Sequence, residues 1–127
     1  MSLEVVEREI ETRAQTLFGD VQSIPIDFGQ DEFKKPNGAA WARVVVLGGQ
    51  DDGLEINGAS YEQSGLLEAQ IFTKNKRENA RLYDLMAAVF RQVEFNGVRT
   101  LDPLRIVVGH RDGWWQSNLS VEWEIES

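Results

Sequence analysis

The chain has 127 residues, 13 Lys and Arg against 21 Asp and Glu, a formal net charge of −8 and no cysteine. That length suits a single domain, residues 1–127, which buries about two-thirds of its unfolded surface without staples. A disulfide framework and a thiolate site are excluded, and the acidic balance speaks against sequence-independent gripping of DNA, which needs clustered cations.

The opening stretch from Met1 to Glu7 is acidic and does not read as a signal peptide. No apolar run approaches the roughly 20 residues of a membrane span. The expectation is a protein made and used in a cytosol. Leu3 to Phe18 places Leu3, Val6, Ile10, Ala14, Leu17 and Phe18 at helical spacing. Its acids crowd the first turns, where the helix dipole favours them, and Gly19-Asp20 ends it. Ile24-Pro25-Ile26-Asp27-Phe28 follows as an edge strand or strand start, because Pro25 cannot donate to a ladder.

The connection Gly29 to Gly38 is long and carries Phe33, Lys34 and Lys35. Phe33 is either an exposed anchor for a partner or a plug folded over the core. Ala40 to Leu47 is the longest β-type run. Both of its faces, Trp41, Arg43, Val45, Leu47 and Ala40, Ala42, Val44, Val46, are mostly apolar. It reads as a central strand covered on both sides.

Gly48 to Gly53 reads as a turn, and its Asp51-Asp52 pair lacks the spaced oxygen ligands of a calcium loop. Leu54-Glu55-Ile56, Asn57-Gly58 and Ala59-Ser60-Tyr61 read as a small hairpin. Leu66 to Thr73 alternates Leu67, Ala69, Ile71 with Glu68, Gln70, a half-buried strand antiparallel to the Trp41 run. Asn75 with Glu78 three residues later forms a capping-box pattern. The helix it opens runs to about Arg91 on a stripe of Leu82, Leu85, Met86, Val89 and Phe90. Lys74, Lys76 and Arg77 sit at the positive end of that helix dipole. They are either a solvated cluster or a contact for an acidic partner.

Asn96-Gly97 between Gln92–Phe95 and Val98–Leu101 is a second hairpin signal, and Leu104 to Gly109 is another strand. His110, the one histidine, reads as a turn residue with no second metal ligand beside it. Trp115, Leu119, Val121, Trp123 and Ile125 alternate with polar positions along the last strand. Trp114 falls on the wet side of that alternation, as an interface anchor or tucked in by the turn. The sum is an α+β domain: a largely antiparallel or mixed sheet of four to six strands, with two α-helices packed on one face. The expected core is Val6, Ile10, Leu17, Val45, Leu67, Ile71, Leu82, Met86, Val89, Leu119, Val121 and Trp123. Nothing in the residues forms a catalytic constellation, and no metal or cofactor is expected.

The whole-chain order resembles the tail-terminator-like proteins of long-tailed bacteriophages and prophages. The pattern is an N-terminal helix, Ile24-Pro25-Ile26-Asp27-Phe28-Gly29, then Trp41-Ala42-Arg43-Val44, then Gly65 to Phe72. A helix with Ala80 and Phe90 and a closing Gly113-Trp114-Trp115-Gln116-Ser117-Asn118 strand complete it. Where the family often has a glycine-rich turn, Thr73-Lys74-Asn75-Lys76 stands here. The resemblance implies a non-enzymatic virion protein of the tail, made in the host bacterial cytoplasm. It implies a homo-oligomeric ring, a hexamer by analogy, that ends tail-tube polymerisation and meets the head's connector. Self, tail tube protein and connector are then the partners, with no membrane and no specific nucleic acid. The interface residues expected from this reading are Phe33, Lys34, Lys35, Trp41, Arg43, Lys74, Lys76, Arg77 and Trp114. Two alternatives stand beside it. One is another neck or head–tail joining protein. The other is a small-molecule-binding domain or enzyme with a pocket lined by Trp41, Trp114 and Trp115.

Overall fold

The computed structural model describes residues 2–30, 32–52 and 62–126. The expected hairpin over residues 54–61 lies outside the described residues. Helix α1 (Leu3–Ala14) starts at Ser2, whose hydroxyl accepts from the Val5 N–H. It continues as a π-helical stretch (Gln15–Gly19) and a short α2 (Asp20–Gln22). Then come β1 (Ile26–Asp27), β2 (Trp41–Asp52), β3 (Glu62–Thr73) and α3 (Lys76–Phe90). The chain closes with β4 (Glu94–Phe95), β5 (Val98–Thr100), β6 (Leu104–Arg111) and β7 (Trp114–Glu126).

The sheet is open and mixed, in the order β1-β2-β3-β7-β5-β4, with β6 also on β7. Among the described residues it has seven strands, of which β1, β4 and β5 are only two or three residues long, and only β1 on β2 is parallel. The hub is therefore the β3–β7 pair, matched over Glu62↔Glu126 to Thr73↔Trp115. The Trp41 run is not central, since its outer side meets only the two residues of β1. Nor does it end in a turn at Gly48: β2 runs on to Asp52 through a register shift between Leu47 and Gln50.

Both main helices pack on one face, α1 against β2 and α3 against β3 and β7. The shared core holds Val6, Ile10 and Phe18 with Leu82, Met86 and Phe90, over Val44, Leu67, Ile71, Leu119, Val121 and Trp123. Two expected core residues are out. Leu17 is 44% exposed because the π-helical stretch widens the turn after Ala14. Phe18 then follows Ala14 inward and Leu17 rotates out. Val45 is 38% exposed because, among the described residues, no helix packs on the opposite sheet face.

A buried amide ties helix to sheet. Asn79 Nδ2 donates to the carbonyls of Ile71 (3.0 Å) and Trp115 (2.9 Å), and its Oδ1 accepts from the Ser117 hydroxyl at 2.5 Å. Thr100 Oγ1 donates to the Phe90 carbonyl at the other end of α3 (2.6 Å). Between β4 and β5, Asn96 and Gly97 both have positive φ (48° and 86°), the turn their sequence signals. Gly65 is needed for a different reason, close approach: a Cβ there would lie 2.6 Å from Trp123 Cζ2 and would also strike the Leu47 carbonyl.

Asn79→Ala leaves two carbonyls and a hydroxyl without their partner and is expected to cost about 2–3 kcal/mol. Gly65→Ala presses on a rigid indole and on backbone and is expected to cost about 1–3 kcal/mol. Urea unfolding checks both. A lowered midpoint with an unchanged slope is the expected result.

Candidate interaction surface

The sheet face away from the helices carries alternate residues of the long strands. From β2 come Trp41, Arg43, Val45 and Leu47, and from β3 come Phe72, Gln70, Glu68 and Leu66. From β7 come Trp114, Gln116, Asn118, Ser120, Glu122 and Glu124. The register sets Trp41 beside Phe72, and Phe72 beside Gln116.

One end of this face is an aromatic cluster. Trp41 stacks on Phe72 at 4.1 Å between ring centroids and 9° between planes. Trp114 meets Trp41 edge-on at 6.4 Å, and Phe33 tilts against Trp41 at 5.7 Å. The long loop therefore places Phe33 as a plug on the Trp41 ring. Trp41 and Trp114 are 5% and 7% exposed. Trp114 is thus on the side the alternation assigns, but it is covered and is not a free anchor. Its cover comes from Trp41 and from the lysines around it. The Trp41 indole N–H is buried in this cluster with no acceptor among the described residues.

Cations ring the cluster. Lys74 Nζ stands 3.9 Å over the Trp114 ring and donates to the Gly113 carbonyl (3.1 Å). Lys35 Nζ is 5.4 Å from the same ring and Lys76 Nζ 5.5 Å from the Trp115 ring. The Arg43 guanidinium lies 5.2 Å from Trp41, pairs with Asp27 at 3.2 Å and donates to Gln70 at 3.3 Å. Aromatic faces attract these cations without neutralising them. Among the described residues, Lys34, Lys35, Lys74, Lys76 and Arg77 have no ion pair. Lys34 and Arg77 are exposed at the margin.

Of the nine expected interface residues, the structure thus gathers Phe33, Lys35, Trp41, Arg43, Lys74 and Trp114 into one cluster. Lys76 lies over Trp115, which alternates with Trp114 and so points to the helix side of the sheet at the same end. Phe72 was missed. Its parity with Gln70 and Glu68 was the available signal, but only the register shows that it underlies Trp41. His110 is a strand residue, not a turn residue; it pairs with Trp115 and meets its ring edge-on at 5.2 Å. The turn lies at Asp112-Gly113, both with positive φ.

The other end of the face is aliphatic and acidic. Leu47 sits across from Leu66, and Leu66 across from Glu122. Val45, Leu47 and Leu66 are 38%, 45% and 39% exposed. Leu47, Leu66, Leu101, Glu122 and Glu124 line a hollow of about 400 Å³ with Trp123 at its wall. Glu124 is held by the Arg99 guanidinium, whereas Glu122 has no cation partner among the described residues. On the edge, Leu104, Ile106 and Val107 of β6 are exposed. Arg105 of that strand lies 4.6 Å over the Tyr83 ring, and burial pushes the Tyr83 hydroxyl pKa up. Among the described residues, no three His, Asp or Glu side chains come together as a metal set. Nor is any helix long and apolar enough to cross a membrane.

No protein-family model and no curated protein matches the chain. Solved structures do match in fold. One, of a protein identified only by a sequence label, superposes with a TM-score of 0.76 over 98% of this chain and 96% of its own. Sequence identity between the two is 12%, so the likeness shows a shared fold and nothing further.

Trp114→Ala is expected to cost about 3 kcal/mol, as for a buried indole. Lys34→Ala, exposed and without a described contact, should stay within about 0.5 kcal/mol. Denaturant melts of the two variants separate the structural aromatic cluster from its solvated rim. Despite the local lysines, titration with labelled duplex DNA at physiological salt is expected to show no micromolar binding, because the net charge of −8 opposes it.

Proposed function

We propose that this chain is a tail-terminator-like structural protein. It acts as a ring of copies that caps a phage tail tube, ends its polymerisation and offers a surface for head joining. The observation that carries the reading is a sheet face on which, among the described residues, no helix packs. A protein that works alone seldom leaves a β-sheet exposed along Val45, Leu47 and Leu66 on one side and Leu104 and Ile106 on the other. Such a face fits a subunit that finishes its burial in an assembly. The whole-chain resemblance to tail terminators supplies the kind of assembly. The acidic balance suits a conduit that DNA passes without sticking.

Enzymatic action has less support. The strongest aromatic grouping is filled by its own side chains, with Trp41 and Trp114 both buried. Among the described residues, these rings pack on one another and on Phe33 and Phe72.

Complementation tests the proposal. Removing the protein from a producing phage should give overlong tubes, measured by electron microscopy, and wild-type protein should restore regulated length. Leu47→Asp and Leu66→Asp change exposed positions, so they should fold but fail to rescue. Tails of regulated length that join heads normally without the protein would sink the reading. Tails of regulated length that fail to join heads would assign it to the neck instead.

A further inference from the structure

The π-helical stretch after α1 shapes a second surface, separate from the exposed sheet face. A hollow of about 250 Å³ lies between the helix and the β4–β5 hairpin, lined by Glu9, Thr12, Arg13, Thr16, Leu17 and Phe95. Its lining comes from the helix and the hairpin, not from the long strands. Leu17 stands in it, 44% exposed, because the π turn rotates that side chain out of the core. Such turns inside helices occur often at functional sites.

Arg13 is a cation of this hollow with no counter-ion. Its Nε donates to the Val89 carbonyl (2.8 Å), one of the last four carbonyls of α3, which have no partner within the helix. Its guanidinium lies 4.8 Å over the Phe95 ring. These two contacts hold the group in place, while Nη1 and Nη2 have no acceptor among the described residues. By spacing, Glu9 one turn earlier on α1 is its natural partner. Glu9 is engaged elsewhere: its Oε2 accepts from Asn96 Nδ2 at 2.6 Å, and among the described residues it forms no ion pair with Arg13. Burial pulls the Arg13 pKa down, the mark of a cation stripped of some water with no anion in its place.

We infer that this hollow captures the carboxyl terminus of a partner polypeptide that ends in an apolar residue such as leucine. The match is one of chemistry. A terminal residue carries an anion, an apolar side chain and a backbone N–H on a single Cα. The hollow offers the free Nη groups of Arg13 for the carboxylate, Leu17 and Phe95 for the side chain, and the unpartnered Oε1 of Glu9 for the N–H. Arginine binds a carboxylate through two parallel hydrogen bonds, stronger than neutral ones. An internal Asp or Glu brings a carboxylate without an apolar group branching beside it. The volume is below the roughly 300–1,000 Å³ of pockets for drug-sized ligands, so the hollow suits one residue rather than a whole cofactor. Glu9 and Arg13 balance in charge, so recognition is short-range and does not depend on the field of the acidic protein. The inference uses none of the residues of the proposed ring contact and stands apart from that reading.

The test titrates the isotopically labelled full chain with N-acetyl-Ala-Leu bearing a free carboxyl group, followed by NMR of the backbone amides. The amides of Arg13, Leu17 and Asn96 should shift together and saturate, with a Kd on the order of 1 mM. The same peptide amidated at its end should bind at least about tenfold more weakly, because it brings no anion. Arg13→Gln and Leu17→Asp should each weaken binding of the acid by at least about tenfold as well. Leu17 is exposed, so its variant should fold. Should Arg13→Gln unfold through loss of the Val89 contact, the amidated peptide tests the same interaction on the wild-type chain.

No shift up to about 20 mM peptide, equal binding of acid and amide, or variants that bind as well as wild type would each overturn the inference. N-acetyl-Ala-Asp-amide binding as tightly as the acid would assign the hollow to side-chain carboxylates. Free leucine binding as tightly would make it a small-molecule site. Either result overturns capture of a chain end. Tail length is not read in this experiment, so failure here leaves tube capping to the complementation result.

Discussion

The side chain of Asn79 fixes the relation between helix α3 and the two strands at the centre of the sheet. It is 4% exposed, yet its amide is fully engaged: two strand carbonyls accept from it and a strand hydroxyl donates to it. A buried amide left unpaired would cost more than its hydrogen bonds return, so this position of the helix is sharply preferred. Its reach matters because the first turn of α3 lies at one end of β3 and β7. Once Asn79 is seated, Lys76 is held near Trp115, while Lys74 just before the helix rests on Trp114. The cap formed by Asn75 Oδ1 and the Glu78 N–H (3.0 Å) sets where that turn begins.

The same placement explains how an acidic protein keeps a cationic end. Salt bridges would have cancelled the lysines. Indole faces hold them instead, through the ring quadrupole, and leave their charge directed outward. Arg43 is the exception, since Asp27 of the short β1 pairs with it. At the far end the register sets Glu122 across from Leu66, with Glu124 two residues further along the same strand. Segregation of charge along one face therefore follows from strand alignment. No acidic or basic run in the sequence displays it.

The long strand edges are managed differently on the two sides. On β2 the parallel β1 covers Ala42 and Arg43. On β6, Arg105 and a register shift between Val107 and Gly109, with Gly109 at φ 96°, interrupt an otherwise aliphatic edge. Charges and bulges of this kind discourage unplanned edge pairing. They leave the sheet face, rather than the sheet edge, as the surface on which copies meet in the proposed ring.

The sequence by itself determined what short-range chemistry decides. The alternation in β3 and β7, the Asn75–Glu78 cap, the Asn96-Gly97 turn, the α3 stripe and the α+β class with helices on one face were all legible there. Each depends on residues a few positions apart. Only the tertiary structure decided which strands are central, because the pairing from Glu62↔Glu126 to Thr73↔Trp115 joins residues about a third to a half of the chain apart. It also decided that Trp114 is covered, that Phe72 underlies Trp41, and that Val45 is left out of the core. Periodicity gives the side of a strand on which a residue lies, but not whether anything packs there. Leu17 shows the limit within a single helix. A π-helical turn changes the phase of the stripe, and helical spacing read along a sequence assumes that the phase never changes.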